Sequence, residues 1–164
     1  MALAAVQQQH FRRACSKFAT GITILTVLDE SGNPHGMTVN SFTSVSLTPP
    51  LVLVCIDIRT RLLDLFREGC HFGVSVLNED QQELSARFAR SGEGRFDGVP
   101  WDRGESGVPL LPGAIAAMEC AVTRIVEAGD HAILLGEVQQ ASWSEGQPLI
   151  YFNSGYQKLE DQLK

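Results

Sequence analysis

Apolar positions along the 164-residue chain change period several times, and each change predicts an element. "QQHFRRACSKFAT" places Phe11, Cys15 and Phe18 at helical spacing, which reads as an N-terminal helix stopped by Gly21. "GITILTVLD" reads as a strand, and Glu30, Ser31, Gly32 and Asn33 supply turn chemistry for an antiparallel hairpin with the next run. That run, "HGMTVNSFTSVSLTPPLVLVC" at 35–55, reads as a polar strand with six hydroxyl side chains and one Asn, turning through two prolines into an apolar strand. "LVLVCIDI", 51–58, alternates too little for a half-exposed strand and is expected to be buried on both faces. Thr60 is placed as the N-cap of a helix "RLLDLFRE" closed by Gly69. "HFGVSVLN" is the next strand, and Asn78 caps "EDQQELSARFAR", with Leu84 and Phe88 on one helix face.

Residues 91–113 carry six glycines and three prolines, the composition of an irregular loop that serves either as a lid or as a surface excursion. Two long strand candidates follow, "AIAAMECAVTRIVEAG" and "HAILLGEVQQASW", joined at Gly129 and Asp130. Period two in the first puts Ala116, Met118, Cys120 and Val122 on a buried face, and Glu119, Thr123 and Glu127 on the other. Six or so strands, mainly hairpin-connected with short helices between them, imply a mainly β chain forming a barrel instead of a doubly wound sheet. Neither GxGxxG nor the P-loop pattern is present. With no repeat and no linker, residues 1–164 are expected to form one domain, its core running from about 11 to 159.

Composition narrows the function classes. The net charge is −6, and Lys17, Lys158 and Lys164 are the three lysines, so the basic footprint of a nucleic-acid binder is missing. The four cysteines, Cys15, Cys55, Cys70 and Cys120, form no CxxC pair and have no His at metal-ligand spacing. Reduced thiols and no metal site are expected. The N-terminus lacks the layout of a signal peptide, and no stretch approaches the roughly 20 apolar residues of a membrane span, so a soluble, cytoplasmic protein is expected.

"FRRACSKFATGITILTV", "HGMTVNSFTSVSLTPPLVLVCI", "AGDHAILLGEV" and "PLIYFNSGYQKL" together resemble the flavin reductase family, the small reductase components of two-component flavin monooxygenases. The likeness runs from about Phe11 to Leu159 in the family's order and spacing. It implies a Greek-key split β-barrel, the FMN-binding split barrel, with short flanking helices. It further implies a homodimer that uses NADH or NADPH to reduce FMN or FAD and supplies a partner flavin-dependent monooxygenase.

The residues themselves are compatible with that chemistry. A flavin needs its phosphate held, an apolar wall for its ring and donors at the ring edge. By the resemblance, Thr38, Val39, Asn40, Ser41, Phe42, Ser44 and Val45 line the flavin, Arg59, Thr60 and Arg61 hold its phosphate side at a helix N-terminus, and Phe88 is a further neighbour. Taken alone, a hydroxyl-rich strand is more often a solvated edge, and Phe88 suits a core position equally well. His10 and His71 have no constellation around them, and His35 belongs to a hairpin. The resemblance sets His131 beside the nicotinamide, with Asn153, Ser154, Gly155 and Tyr156 helping to hold it. No residue is needed as acid, base or nucleophile, because proximity and orientation of two stacked rings carry a hydride transfer. The alternatives are a flavin- or haem-binding sensor or store without turnover, and an oxidase resembling pyridoxamine phosphate oxidase.

Overall fold

Asp29 organises the first hairpin. Its carboxylate accepts from the Ser31 and Asn33 backbone N–H groups at 2.9 and 2.8 Å, and Gly32 takes a φ of 82°. The computed structural model of the chain describes residues 6–159. Its elements are α1 (Gln8–Cys15), β1 (Thr20–Gly21), β2 (Thr23–Leu28), β3 (Pro34–Val39), β4 (Thr43–Leu47), β5 (Pro50–Asp57) and β6 (His71–Val76). Then follow α2 (Gln82–Ala89), β7 (Asp102–Arg103), β8 (Pro109–Leu110), β9 (Ala116–Ala128), β10 (His131–Trp143), β11 (Ile150–Phe152) and β12 (Gly155–Gln157).

Seven strands form one antiparallel sheet in the order β3-β2-β6-β9-β10-β5-β4. β3 and β4 follow one another in the chain yet occupy opposite edges of that sheet, so residues 40–42 draw the two edges together and the sheet curls. No ladder joins β3 to β4 or β5, and the curl stays split at this seam. The single polar strand expected at 35–48 is therefore two strands. Neither Pro nor Gly marks the break, because Asn40, Ser41 and Phe42 leave the sheet only where its edges must meet. At the seam, the Ser41 hydroxyl donates to the Cys55 carbonyl at 3.0 Å and accepts from the Cys55 N–H at 2.9 Å. One side chain thus replaces a rung of backbone pairing.

The curl encloses Leu25, Val27, Val54, Ile56, Phe72, Val74, Cys120 and Leu134. Burial raises the Cys120 thiol pKa to about 12, so it behaves there as a small apolar group. Close packing fixes Gly136, where a Cβ would come within 2.4 Å of Phe72 Cζ. Outside the sheet, Ile22, Ile24, Leu77, Phe88, Leu111 and Leu149 form a second cluster beneath α2. Burying each such side chain contributes about 1.5–3 kcal/mol relative to exposure.

Several expectations need correction. The strand buried on both faces is β2, lying between the two clusters, whereas β5 alternates between buried Val52, Val54 and Ile56 and half-exposed neighbours. α1 ends at Cys15 and buries no residue; Phe11 is 63% and Phe18 78% exposed, and Gly21 belongs to β1. "RLLDLFRE" forms only a 3₁₀ turn, Arg61–Leu65, although Thr60 does cap it by accepting from Leu62 N–H. Glu119 is buried on β9 instead of facing water, because Glu105 N–H, Ser106 N–H and the Ser106 hydroxyl all donate to it. Its burial alone would raise the carboxyl pKa, but these donors outweigh that and hold it below the usual range.

The loop at 91–113 is anchored. Arg87 donates to the Arg95 and Asp97 carbonyls, Arg95 Nη1 to the Gly36 carbonyl at 2.6 Å, and Phe96 meets Phe88 edge-on at 4.9 Å.

Candidate functional site

The residues singled out in the sequence fall into two groups on different parts of the fold. The first surrounds the seam. Thr38 lies near the end of β3, and its hydroxyl donates to the Ser85 carbonyl on α2 at 2.7 Å. The Ser85 hydroxyl in turn pairs with the Tyr156 hydroxyl at 2.9 Å, and the Tyr156 ring meets Tyr151 edge-on at 5.7 Å. Asn153 and Ser154, with φ of 52° and 63°, make the two-residue turn between β11 and β12. Asn153 is tied to the N-terminal segment, its N–H donating to Ser16 and its Oδ1 accepting from Lys17 Nζ, both at 2.8 Å.

The donor set at the seam is smaller than the hydroxyl count implies. Thr38 and Ser41 already donate to backbone carbonyls, whereas Asn40 and Ser44 stand exposed. The β4–β5 ladder slips between Ser44 and Ser46, so Val45 sits on a bulge, outside the register and 47% exposed. Phe42 and Met37, half-buried against the inner core, provide an apolar wall. Val39 and Phe88 present no exposed side chain. Val39 is a core residue at 6% exposure, and Phe88, at 0%, fills the space between α2 and β3, where a Cβ on Gly36 would lie 3.0 Å from its ring.

The second group gathers at the ends of β5 and β10. His131, the first residue of β10, stands directly across from Asp57, the last of β5. Arg59 grips Asp57 with its backbone N–H at 2.9 Å, Nε at 3.0 Å and Nη2 at 2.6 Å. His131 Nδ1 pairs with Asp130 Oδ1 at 2.7 Å, and the Asp130 carbonyl accepts from Ile58 N–H. The Arg59 side chain holds the Asp57 carboxyl well below the usual carboxylate range, with a smaller contribution from the charge of His131, and Asp57 raises Arg59 in return. Asp130 is likewise lowered by His131. With Nε and one Nη2 hydrogen on Asp57, the outer edge of the Arg59 guanidinium remains available to an anion. Arg61, 95% exposed, reaches Glu93 only at 4.0 Å. The short 3₁₀ turn lacks the dipole of the expected helix, so charge alone would attract an anion here.

Among the described residues, no hydrogen bond or ion pair joins the two groups. The fold links Arg59 through Asp57 to the strand position of His131, and Thr38 through Ser85 to Tyr156. It also adds Asp57, Asp130 and Ser85. Asp130 was visible inside "GDH", and Asp57 two residues before Arg59, but Ser85 gave no local signal. Two surface clefts, of about 830 and 510 Å³, lie elsewhere, against the outer side of α2 and beside His71, and none of the residues singled out lines either. No group of three His, Cys, Asp or Glu side chains is placed to hold a metal among the described residues.

The seam offers exposed polar groups and an apolar wall, and the second group offers the free edge of Arg59. Residues 15–160 match the flavin reductase like domain. The chain belongs to that family, and its fold is the family's split β-barrel. It is 43% identical to the FMN reductase (NADH) SmoA of Agrobacterium fabrum over 93% of this chain and 86% of that protein. It is 34% identical to HsaB, the reductase subunit of a flavin-dependent monooxygenase of Rhodococcus jostii, over 98% of this chain and 82% of that one. Among solved structures, the NADH:FAD oxidoreductase SgcE6 of Streptomyces globisporus, in complex with NAD and FAD fragments, superposes with a TM-score of 0.89. It is 38% identical, over 100% of both chains.

Proposed function

We propose that this chain is a flavin reductase that oxidises NADH or NADPH, reduces FMN or FAD, and supplies the reduced flavin to a monooxygenase. The observation that carries this reading is the family match across 15–160 together with relatives named as NADH-dependent reductases at 43% and 38% identity. The bound nucleotide supplies a hydride, an electron pair with its proton, which passes to the flavin when the two rings stack. The protein's share is to hold and orient. In this reading Asn40, Ser44 and the bulge at Val45 present donors to the flavin, and Phe42 walls its ring. The outer edge of Arg59, with Arg61, neutralises its phosphate side. His131 and Tyr156 border the nicotinamide, with Asn153, Ser154 and Gly155 shaping the turn that carries Tyr156.

A second copy completes the site in this reading. Along the described chain, Leu47 at 92%, Trp143 at 83%, Phe18 at 78% and Phe11 at 63% exposure are large apolar side chains that a second copy would cover. The seam residues line neither cleft, so the flavin needs a cover. A homodimer across a two-fold axis supplies one. No helix among the described residues is long and apolar enough to cross a membrane, and the cysteines are free thiols. Free thiols fit the reading of an enzyme that works in the reducing cytoplasm.

The test is a nucleotide-oxidation assay with FMN and FAD added in turn. Loss of reduced-nicotinamide absorbance should follow the added flavin. A flavin that binds but is never reduced by either nucleotide would replace the reductase with a store or sensor.

A further inference from the structure

We propose that Ser85, which makes no contact with solvent, is a positioning residue that sets the geometry between the flavin side and the nicotinamide side of the site. The proposal rests on the reading that Thr38 belongs to the flavin segment and Tyr156 to the nicotinamide segment. Serine is a poor residue for a helix interior, because its hydroxyl competes for backbone groups. At 0% exposure such a hydroxyl also needs a partner of its own. Ser85 finds that partner outside the helix, in the Tyr156 hydroxyl at 2.9 Å, while its carbonyl receives the Thr38 hydroxyl at 2.7 Å. One residue of α2 thereby joins the end of β3, two positions before the seam, to the hairpin of β11 and β12.

The Tyr156 ring packs against the second core cluster and meets Tyr151 in a T-shaped pair, and its hydroxyl is held by Ser85. Without that hydrogen bond the phenol has no other side-chain hydrogen bond among the described residues, and only apolar packing, which is not directional, sets the ring's position. A hydride transfer depends steeply on ring-to-ring placement, so small freedom in Tyr156 costs rate while leaving the flavin's own contacts in place.

The experiment is stopped-flow reduction of pre-bound flavin by NADH in the full chain, with Ser85→Ala, Tyr156→Phe and the double variant, alongside flavin titrations and thermal unfolding. Ser85→Ala should slow reduction by about tenfold or more and raise the apparent KM for NADH. Its flavin Kd should stay within about twofold of wild type, since no flavin contact is removed. Tyr156→Phe deletes the same hydrogen bond from its other end and keeps the ring. It should reproduce the defect even where Ser85→Ala folds poorly, and the double variant should be no slower than either single one. A lowered Tm with wild-type rate and KM in both single variants overturns the positioning role. Tyr156→Ala identifies which layer failed: wild-type kinetics there refutes the placement of Tyr156 itself, whereas impaired kinetics there with normal Ser85→Ala refutes only the role of Ser85.

Discussion

The two groups of candidate residues are built on opposite principles. Around Ser85, uncharged hydroxyls pair in a part-buried setting, each with a named partner, and Phe88, Ile24 and Leu77 of the same side of the fold are wholly buried. Around Asp57, four charged or chargeable side chains meet near solvent, where Arg59 is 81% and Asp130 81% exposed. Exposed ion pairs contribute little to stability, since water and salt screen them and long side chains lose freedom by pairing. Their use in the proposed function is different: an exposed arginine with one guanidinium edge free can also take an incoming phosphate at small cost. In the proposed reading the buried group fixes geometry, and the exposed group attracts and holds charge.

Substitutions should separate the two, beginning with the largest effect. Phe88→Ala empties the space between α2 and β3 and should cost about 3–5 kcal/mol of unfolding free energy in denaturant titrations. An unchanged midpoint combined with weakened flavin binding would return Phe88 to the ligand surface. Ser41→Ala strands the Cys55 N–H and carbonyl at the seam and should cost about 1–3 kcal/mol. Because that hydroxyl is already occupied, any loss of flavin affinity should track the loss of stability instead of exceeding it.

Asp57→Asn should have the smallest effect on unfolding, and its size should depend on pH. The Asp57 carboxyl titrates lower in the folded chain than the value near 4 of an unfolded one. Its bonds to Arg59 therefore favour folding above about pH 4, and that contribution is lost as the pH falls through the folded value. The Tm gap between wild type and Asp57→Asn should narrow on acidification below about pH 4. A gap that widens would show that Arg59 does not hold that carboxyl in solution.

The difference between the groups also explains what could be read from the sequence. Hairpins announce themselves through local chemistry: Asp29 to Asn33 turns β2 into β3, Gly129 and Asp130 turn β9 into β10, and the Asn78 cap with Gln81 precedes α2. Long-range contacts do not. The break at Asn40–Phe42 is invisible because each of those residues is tolerated in a strand, and it exists only because two sheet edges meet there. Glu119 follows the outward half of a period-two pattern, yet the loop at Glu105 and Ser106 folds over it and supplies donors. The exposed face of α1 read as a core face because amphipathicity does not say what will cover it. His131 was legible as a turn residue, but its pairing across the sheet with Asp57 depends on the register of β5 against β10.

The claim on which the rest depends is that the flavin sits at the seam between β3 and β5. Hydrogen–deuterium exchange with and without FMN tests it most directly. Added FMN should slow exchange of the backbone amides at 38–45 and 59–61, and leave unchanged those at 64–71 and 106–108, which border the 510 Å³ cleft beside His71. Protection confined to 64–71 and 106–108, with 38–45 exchanging as before, would place the ligand in that cleft and contradict the account.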